Sequence, residues 1–205
     1  GIAINLAEGP WKAKAATLYT TPEEYAVFVG SYLSYTGLFT IMFVLLGSNI
    51  VRFLGWYAAA IITPLMVFIT GVAFFGFSSL DLSNILGIAI ENPLTLAITM
   101  GAIQNVLSKS SKYTLFDSTK EMAYVPLEDG LKTRGKAAVD VVGIKLGKSI
   151  SAFLQVTIFT LFPAATYGSI SLYLMGIFSI VCIVWIWAVK ELSREYDVAV
   201  KTTGH

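Results

Sequence analysis

The chain has 205 residues, 56% of them hydrophobic and only 13% charged, with a net charge of +1. A soluble domain carries about a quarter of its residues as Asp, Glu, Lys and Arg, so water is not the main solvent here. The near-neutral balance speaks against a nucleic-acid platform and leaves any important electrostatics local; one cysteine, Cys182, and one histidine, His205 in a polar tail, offer neither a disulfide nor a metal cluster.

The chain opens without an initiator methionine, signal or transit region. Its apolar start, from Gly1 to Ala7 with Glu8 behind it, reads as a first helix that has been cut. A bilayer crossing needs roughly 20 apolar residues, and the first full span is predicted at 25–51. Thr21-Pro22-Glu23-Glu24 opens it, with a capping threonine, proline at the first helical position and acids in the first turn. A second span follows Arg52 over 53–77 and contains Pro64, which membrane helices accommodate when neighbours satisfy the freed carbonyl. Ser78, Ser79 and Asp81 form a polar break, and 82–91 is too short to cross. Asn92-Pro93 then restarts the helix as a third span over 93–107. The stretch 108–135 is polar, with turn chemistry at Pro126-Leu127-Glu128-Asp129-Gly130, and reads as one long loop. The fourth span is expected at 136–162 and the fifth at 167–189, joined by a minimal hairpin and followed by a charged tail over 190–205.

If each block crosses once, Arg52, the basic residues between Lys109 and Lys136, and Lys190, Arg194 and Lys201 share one side, against Lys12 and Lys14 on the other. The positive-inside bias then puts the long loop and the C-terminus in the cytoplasm. Five spans and a cut helix make a six-helix bundle, half of a twelve-helix transporter built from two such bundles. The fold class expected is an all-α, polytopic membrane protein.

A lysine at the centre of a membrane helix costs about 2.5–3.5 kcal/mol on insertion scales, so lysines inside a span need a reason. Lys145 and Lys148 in the fourth span are three residues apart and share a helix face, with Gln155 seven beyond Lys148 on the same face. Lys148 lies roughly 18 Å along the helix from Lys136 at about 1.5 Å per residue. That depth favours a cation facing an aqueous cavity. For Lys145, one turn shallower, snorkelling to the headgroups stands as an equal reading. Glu8 is the second anomaly, either a solvated helix end or a cavity carboxylate pairing with a lysine across the bundle. Asp140 is predicted to pair with Lys136 four residues before it. Gln104 and Asn105 close the third span, facing either the cavity or neighbouring helices.

Gly147-Lys148-Ser149 imitates the tail of a phosphate-binding loop, but that motif needs a glycine five positions earlier, where Val142 stands, and a strand leading into it. Nucleotide hydrolysis by this segment is therefore not expected. No catalytic constellation points to a membrane enzyme, and the polar stripe argues against a mere scaffold.

Several blocks now carry a pattern: Ile4-Asn5-Leu6-Ala7-Glu8 with Trp11-Lys12, Gly71-Val72-Ala73-Phe74-Phe75, Gly101-Ala102-Ile103-Gln104-Asn105, Lys109-Ser110-Ser111-Lys112-Tyr113, Lys120-Glu121-Met122-Ala123-Tyr124-Val125-Pro126-Leu127, and Leu146-Gly147-Lys148-Ser149. Together, over residues 1–195, they resemble the C-terminal half of the ATP/ADP translocases, the TLC family of plastids and obligate intracellular bacteria. The resemblance implies a major-facilitator-like fold, alternating access, and exchange of ATP for ADP plus phosphate with no cofactor. Proton-coupled nucleotide symport and NAD/ADP exchange are related alternatives. It also implies a multi-pass location in a bacterial inner membrane or plastid inner envelope, with adenine nucleotides, the bilayer and a missing N-terminal half as partners. In that family a lysine of the Leu-Gly-Lys-Ser element and a glutamate of the Ile-Asn-Leu-x-Glu element are needed for transport, and by position these match Lys148 and Glu8. Lys12, Lys145, Asn105 and Gln155 complete the candidate transport set. Lys145 is outside the family pattern, and Gly9-Pro10 stand where Val-Thr is usual.

Overall fold

The computed structural model describes residues 1–80 and 91–203, with side chains throughout except at 141, 142, 144, 202 and 203. Among the described residues every regular element is helical. They are α1 (Ile2–Leu18), α2 (Pro22–Ser79), α3 (Pro93–Ser111), a π-helical turn (Lys112–Phe116), α4 (Asp117–Ala123), α5 (Asp129–Ala137), a second π-helical stretch (Ala138–Gly143), α6 (Ile144–Leu161) and α7 (Tyr167–Thr203). Three continuous helical runs, Pro22–Ser79, Asp129–Leu161 and Tyr167–Lys201, are long and apolar enough to cross a membrane. Large apolar side chains such as Leu45, Phe153 and Tyr173 point outward, a surface that suits hydrocarbon. The chain is a multi-pass membrane protein. The expected polar break at Asp81 and the short segment behind it lie outside the described residues.

The 58 residues of α2 would make a rod of roughly 87 Å at about 1.5 Å per residue, nearly three times the hydrocarbon thickness. Gly55 breaks it. Its φ of 82° is the one positive φ among the described residues, a conformation open to glycine and costly for residues with a Cβ. The reversal is visible in the partners. Ser110 Oγ donates to the Thr36 carbonyl in the first arm, and Thr63 Oγ1 in the second arm donates to the Ser111 carbonyl, so both arms reach the same turn of α3. The start of α2 is set as its sequence dictates: Thr21 Oγ1 accepts from Glu24 N at 3.2 Å, while the Glu24 carboxylate accepts from Thr21 N.

α3 begins where expected, with Asn92 Oδ1 accepting from Thr95 N at 3.0 Å. Its end differs. The helix does not stop at Leu107 but continues through the π-helical turn and α4 to Ala123, so most of the predicted loop over 108–135 is helical. The physical reason is electrostatic: Lys109, Lys112 and Lys120 each find a carboxylate partner, and a paired cation need not leave the bundle. The chain turns only at 124–128, around Pro126, and α5 then starts at Asp129.

The predicted pairing of Asp140 with Lys136 is also corrected. Asp140 Oδ1 accepts from Lys120 Nζ at 2.6 Å, and Lys136 reaches Glu121 instead. Residues Ala138–Gly143 are π-helical, and the wider turn displaces the i, i+4 geometry on which that pairing rested. α7 lies along the second arm of α2: Ser79 Oγ donates to Ser171 Oγ at 2.7 Å, and Tyr196 stacks on Trp56 with centroids 4.8 Å apart. Cys182 is buried in the same core as Phe74, Phe75 and Phe178.

Trp11 is fully buried and locks α1 to α3, its Nε1 donating to the Ile98 carbonyl at 2.9 Å. Its ring lies so close to α3 that a Cβ added at Gly101 would fall 2.1 Å from Trp11 Cδ1, whereas one at Gly30 would meet nothing within 4 Å. Gly101→Ala is therefore expected to destabilise the purified protein by about 1–3 kcal/mol, the usual cost of overpacking, and Gly30→Ala to leave it unchanged. Thermal melting in detergent checks the pair.

Candidate functional site

α1, the α3–α4 helix, the Ala138–Gly143 stretch, α6 and α7 line a partly open cavity of about 1060 Å³. Its wall on the α3–α4 side carries Lys109, Lys112, Phe116 and Lys120, four side chains of one continuous helical run that reach the same cavity. The π-helical turn sits in the middle of this row, a placement common at functional sites. Glu8 faces the row from α1, Lys148 comes from α6, and Glu195 and Tyr196 come from α7. A smaller cavity of about 580 Å³ lies near Pro10, Thr17 and Tyr167, and its one lysine, Lys14, donates to the Ser78 carbonyl at 3.1 Å.

The charges of the larger cavity are organised in pairs. Glu8 Oε1 receives Lys12 Nζ at 2.8 Å and Lys109 Nζ at 3.0 Å, and Lys109 also donates to the Tyr32 hydroxyl. Glu8 and Lys109 are mostly covered, at 17% and 19% side-chain exposure, whereas Lys12 is 49% exposed. Lys112 reaches Asp117 at 3.3 Å, and Lys120 sits among Asp117, Glu121 and Asp140. Lys148 differs: it lines the cavity, its side chain is exposed, and no carboxylate among the described residues lies within ion-pair distance.

Of the residues singled out from the sequence, the structure brings Glu8 and Lys148 to the cavity, and Lys12 pairs with Glu8 without lining the cavity. The other three stand elsewhere. Lys145 is exposed and is not part of the cavity wall. Gln155 lies beside Gly9, its Oε1 accepting from the Tyr167 hydroxyl at 2.9 Å. Asn105 is fully buried, its amide donating to the Gly101 carbonyl at 2.9 Å, and Gln104 donates to Ser108 Oγ. Sequence reasoning missed Lys109, Lys112 and Lys120 as wall residues because the polar run was taken for a loop. Their helical spacing, with no glycine or proline before Pro126, was the available signal.

Residues 1–196 match the family described as TLC ATP/ADP transporter. The chain belongs to that family. It is 63% identical to ADP,ATP carrier protein 4 of Rickettsia felis over 98% of its own length and 40% of that protein's, and 64% identical to ADP,ATP carrier protein 4 of Rickettsia bellii over 98% and 39%. Identity with ADP,ATP carrier protein 1 of Rickettsia typhi is 51%, over 98% and 41%. The chain thus spans about two fifths of the length of the curated relatives it matches. No solved structure matches it.

In this member of the TLC family the cluster around Lys120, part of the cavity wall, ties α4 to the stretch that leads into α6. Burial works against the Lys120 charge, but the Asp140 hydrogen bond and the charges of Asp117 and Glu121 outweigh it and raise the lysine above its ordinary value of 10.5. A lysine raised in the folded state contributes stability that is fully present below the unfolded value and lost as pH rises through the folded one. The tie is therefore expected to hold from pH 6 to 9 and to weaken only above about 10.5. Amide hydrogen exchange over 129–143, corrected for intrinsic rates, is expected to be constant across pH 6–9 and to accelerate in Asp140→Asn.

Proposed function

We propose that this chain forms part of a carrier that exchanges ATP for ADP, with phosphate, across a membrane by alternating access. The cavity is the part of the nucleotide path that this chain contributes. Lys148 carries the reading. The other cavity lysines have protein counter-ions, so a cation left without one in a cavity of this size calls for an anionic ligand, and an ammonium suits a phosphate tail as a compact point charge. ATP enters bearing nearly four negative charges, and charges leave water at a cost of several kcal/mol each unless met by others. The names of the relatives, ADP,ATP carrier proteins, support the same substrate.

The rest of the path belongs to a second bundle, and the length of the relatives supports a carrier of about two and a half times this chain. A major-facilitator-like pairing of two six-helix bundles accounts for a cavity with walls on only part of its circumference. The end of the cavity near Lys120 and Glu195 faces the cytoplasm, as the excess of basic residues there favours.

The test is uptake of labelled ATP into proteoliposomes containing the full-length carrier, loaded with ADP or left empty. Stimulation by internal ADP is expected, and Lys148→Ala is expected to abolish it. Uptake that ignores internal ADP would refute exchange, and normal exchange by Lys148→Ala would remove that lysine from the phosphate path.

A further inference from the structure

The arrangement around Glu8 goes one step beyond a site for nucleotide. One carboxylate oxygen, Oε1, holds two ammonium groups, Lys12 at 2.8 Å and Lys109 at 3.0 Å. Of the two, Lys109 lines the cavity and Lys12 does not. Lys109 is also held by Tyr32, as a donor to its hydroxyl and with Nζ 5.2 Å from its ring centroid. An isolated, mostly covered ion pair resists opening because separation strands a carboxylate with no counter-charge. Here the carboxylate has a second counter-charge within reach, Lys12 on the same helix one turn away.

We propose that Lys109 is a second phosphate ligand, parked on Glu8 and Tyr32 while the cavity is empty and transferred to the polyphosphate of the incoming nucleotide, with Lys12 retained as the counter-ion of Glu8. This rests on the nucleotide-carrier reading above. The exchange replaces one charge-assisted contact of Lys109 by another, so it is selective for a ligand carrying enough charge to outcompete a carboxylate. Because Tyr32 belongs to the first arm of α2 and Glu8 to α1, the transfer also removes a polar link among α1, α2 and α3 when the ligand arrives. The arrival of a polyphosphate thereby changes how three helices are held together.

The experiment measures ATP binding to the full-length carrier in detergent by titration calorimetry, for the unmodified protein, Glu8→Gln, Lys109→Gln, the double variant and Lys148→Ala. Lys109→Gln is expected to weaken ATP binding roughly ten- to a hundredfold, the worth of a hydrogen bond to a charged group. Glu8→Gln is expected to tighten it, because the competitor for Lys109 is gone, and that gain should vanish in the Lys109→Gln background. A Glu8→Gln variant that binds ATP more weakly would make the pair a structural brace and overturn the proposal, and this arm decides alone if Lys109→Gln does not fold. Lys148→Ala losing ATP while Lys109→Gln keeps it within about twofold would overturn the role of Lys109 and leave the carrier reading standing. An unmodified carrier that binds no ATP would remove both.

Discussion

The carboxylate of Glu8 is the junction on which this arrangement of helices turns. A charge flanked by hydrocarbon must have a partner or water, and Glu8 supplies a partner to two lysines at once, one on its own helix and one on α3. That junction lets α3 carry Lys109 inside the bundle. The same logic then repeats along the helix, with Asp117 beside Lys112 and Asp140 beside Lys120. Together these pairs let a run of polar sequence remain helical and form one wall of a cavity. Trp11, one turn from Glu8, fixes the distance between the two helices through its bond to Ile98 and its contact with Gly101.

What the sequence disclosed well was whatever depends on local chemistry. The capping residues Thr21 and Asn92 marked true helix starts because their side chains bond to amides three residues away, and the apolar runs of α2, α6 and α7 announced themselves by composition. Lys145 and Lys148 of α6 stood out for a related reason, as charges within an apolar run, although only Lys148 lines the cavity. Lys109 was not legible in that way. It follows an apolar helix and precedes other charges, so composition assigned it to a loop, and only the carboxylate a hundred residues earlier in the chain explains why it stays in the helix.

Gln155 and Asn105 present the opposite case, since neither lines the larger cavity. Both were candidates because polar groups in apolar helices attract attention, yet an amide can place its N–H donors on a neighbouring carbonyl or hydroxyl, as Asn105 does on Gly101 and Gln155 on Ser151, although Asn105 Oδ1 stays buried with no partner among the described residues. A lysine has no such inexpensive local remedy, since its charge as well as its hydrogens must be met. Charge alone did not mark the cavity either, since Lys145 is not part of its wall; a helical face sustained across several lysines was a better guide than any single residue.

The two π-helical stretches, Lys112–Phe116 and Ala138–Gly143, both contribute to the cavity wall, and Lys120, four residues beyond the first, bonds to Asp140 within the second. A π turn holds one residue more than the α turn it replaces. Rewinding either stretch into regular α geometry would displace the register beyond it by one residue, a rotation of roughly 100° about the helix axis. Lys120 would then point to another quarter of the bundle than Asp140 does. Each stretch therefore works like slack taken up in a thread, and the bond from Lys120 to Asp140 holds two such windings in matched phase.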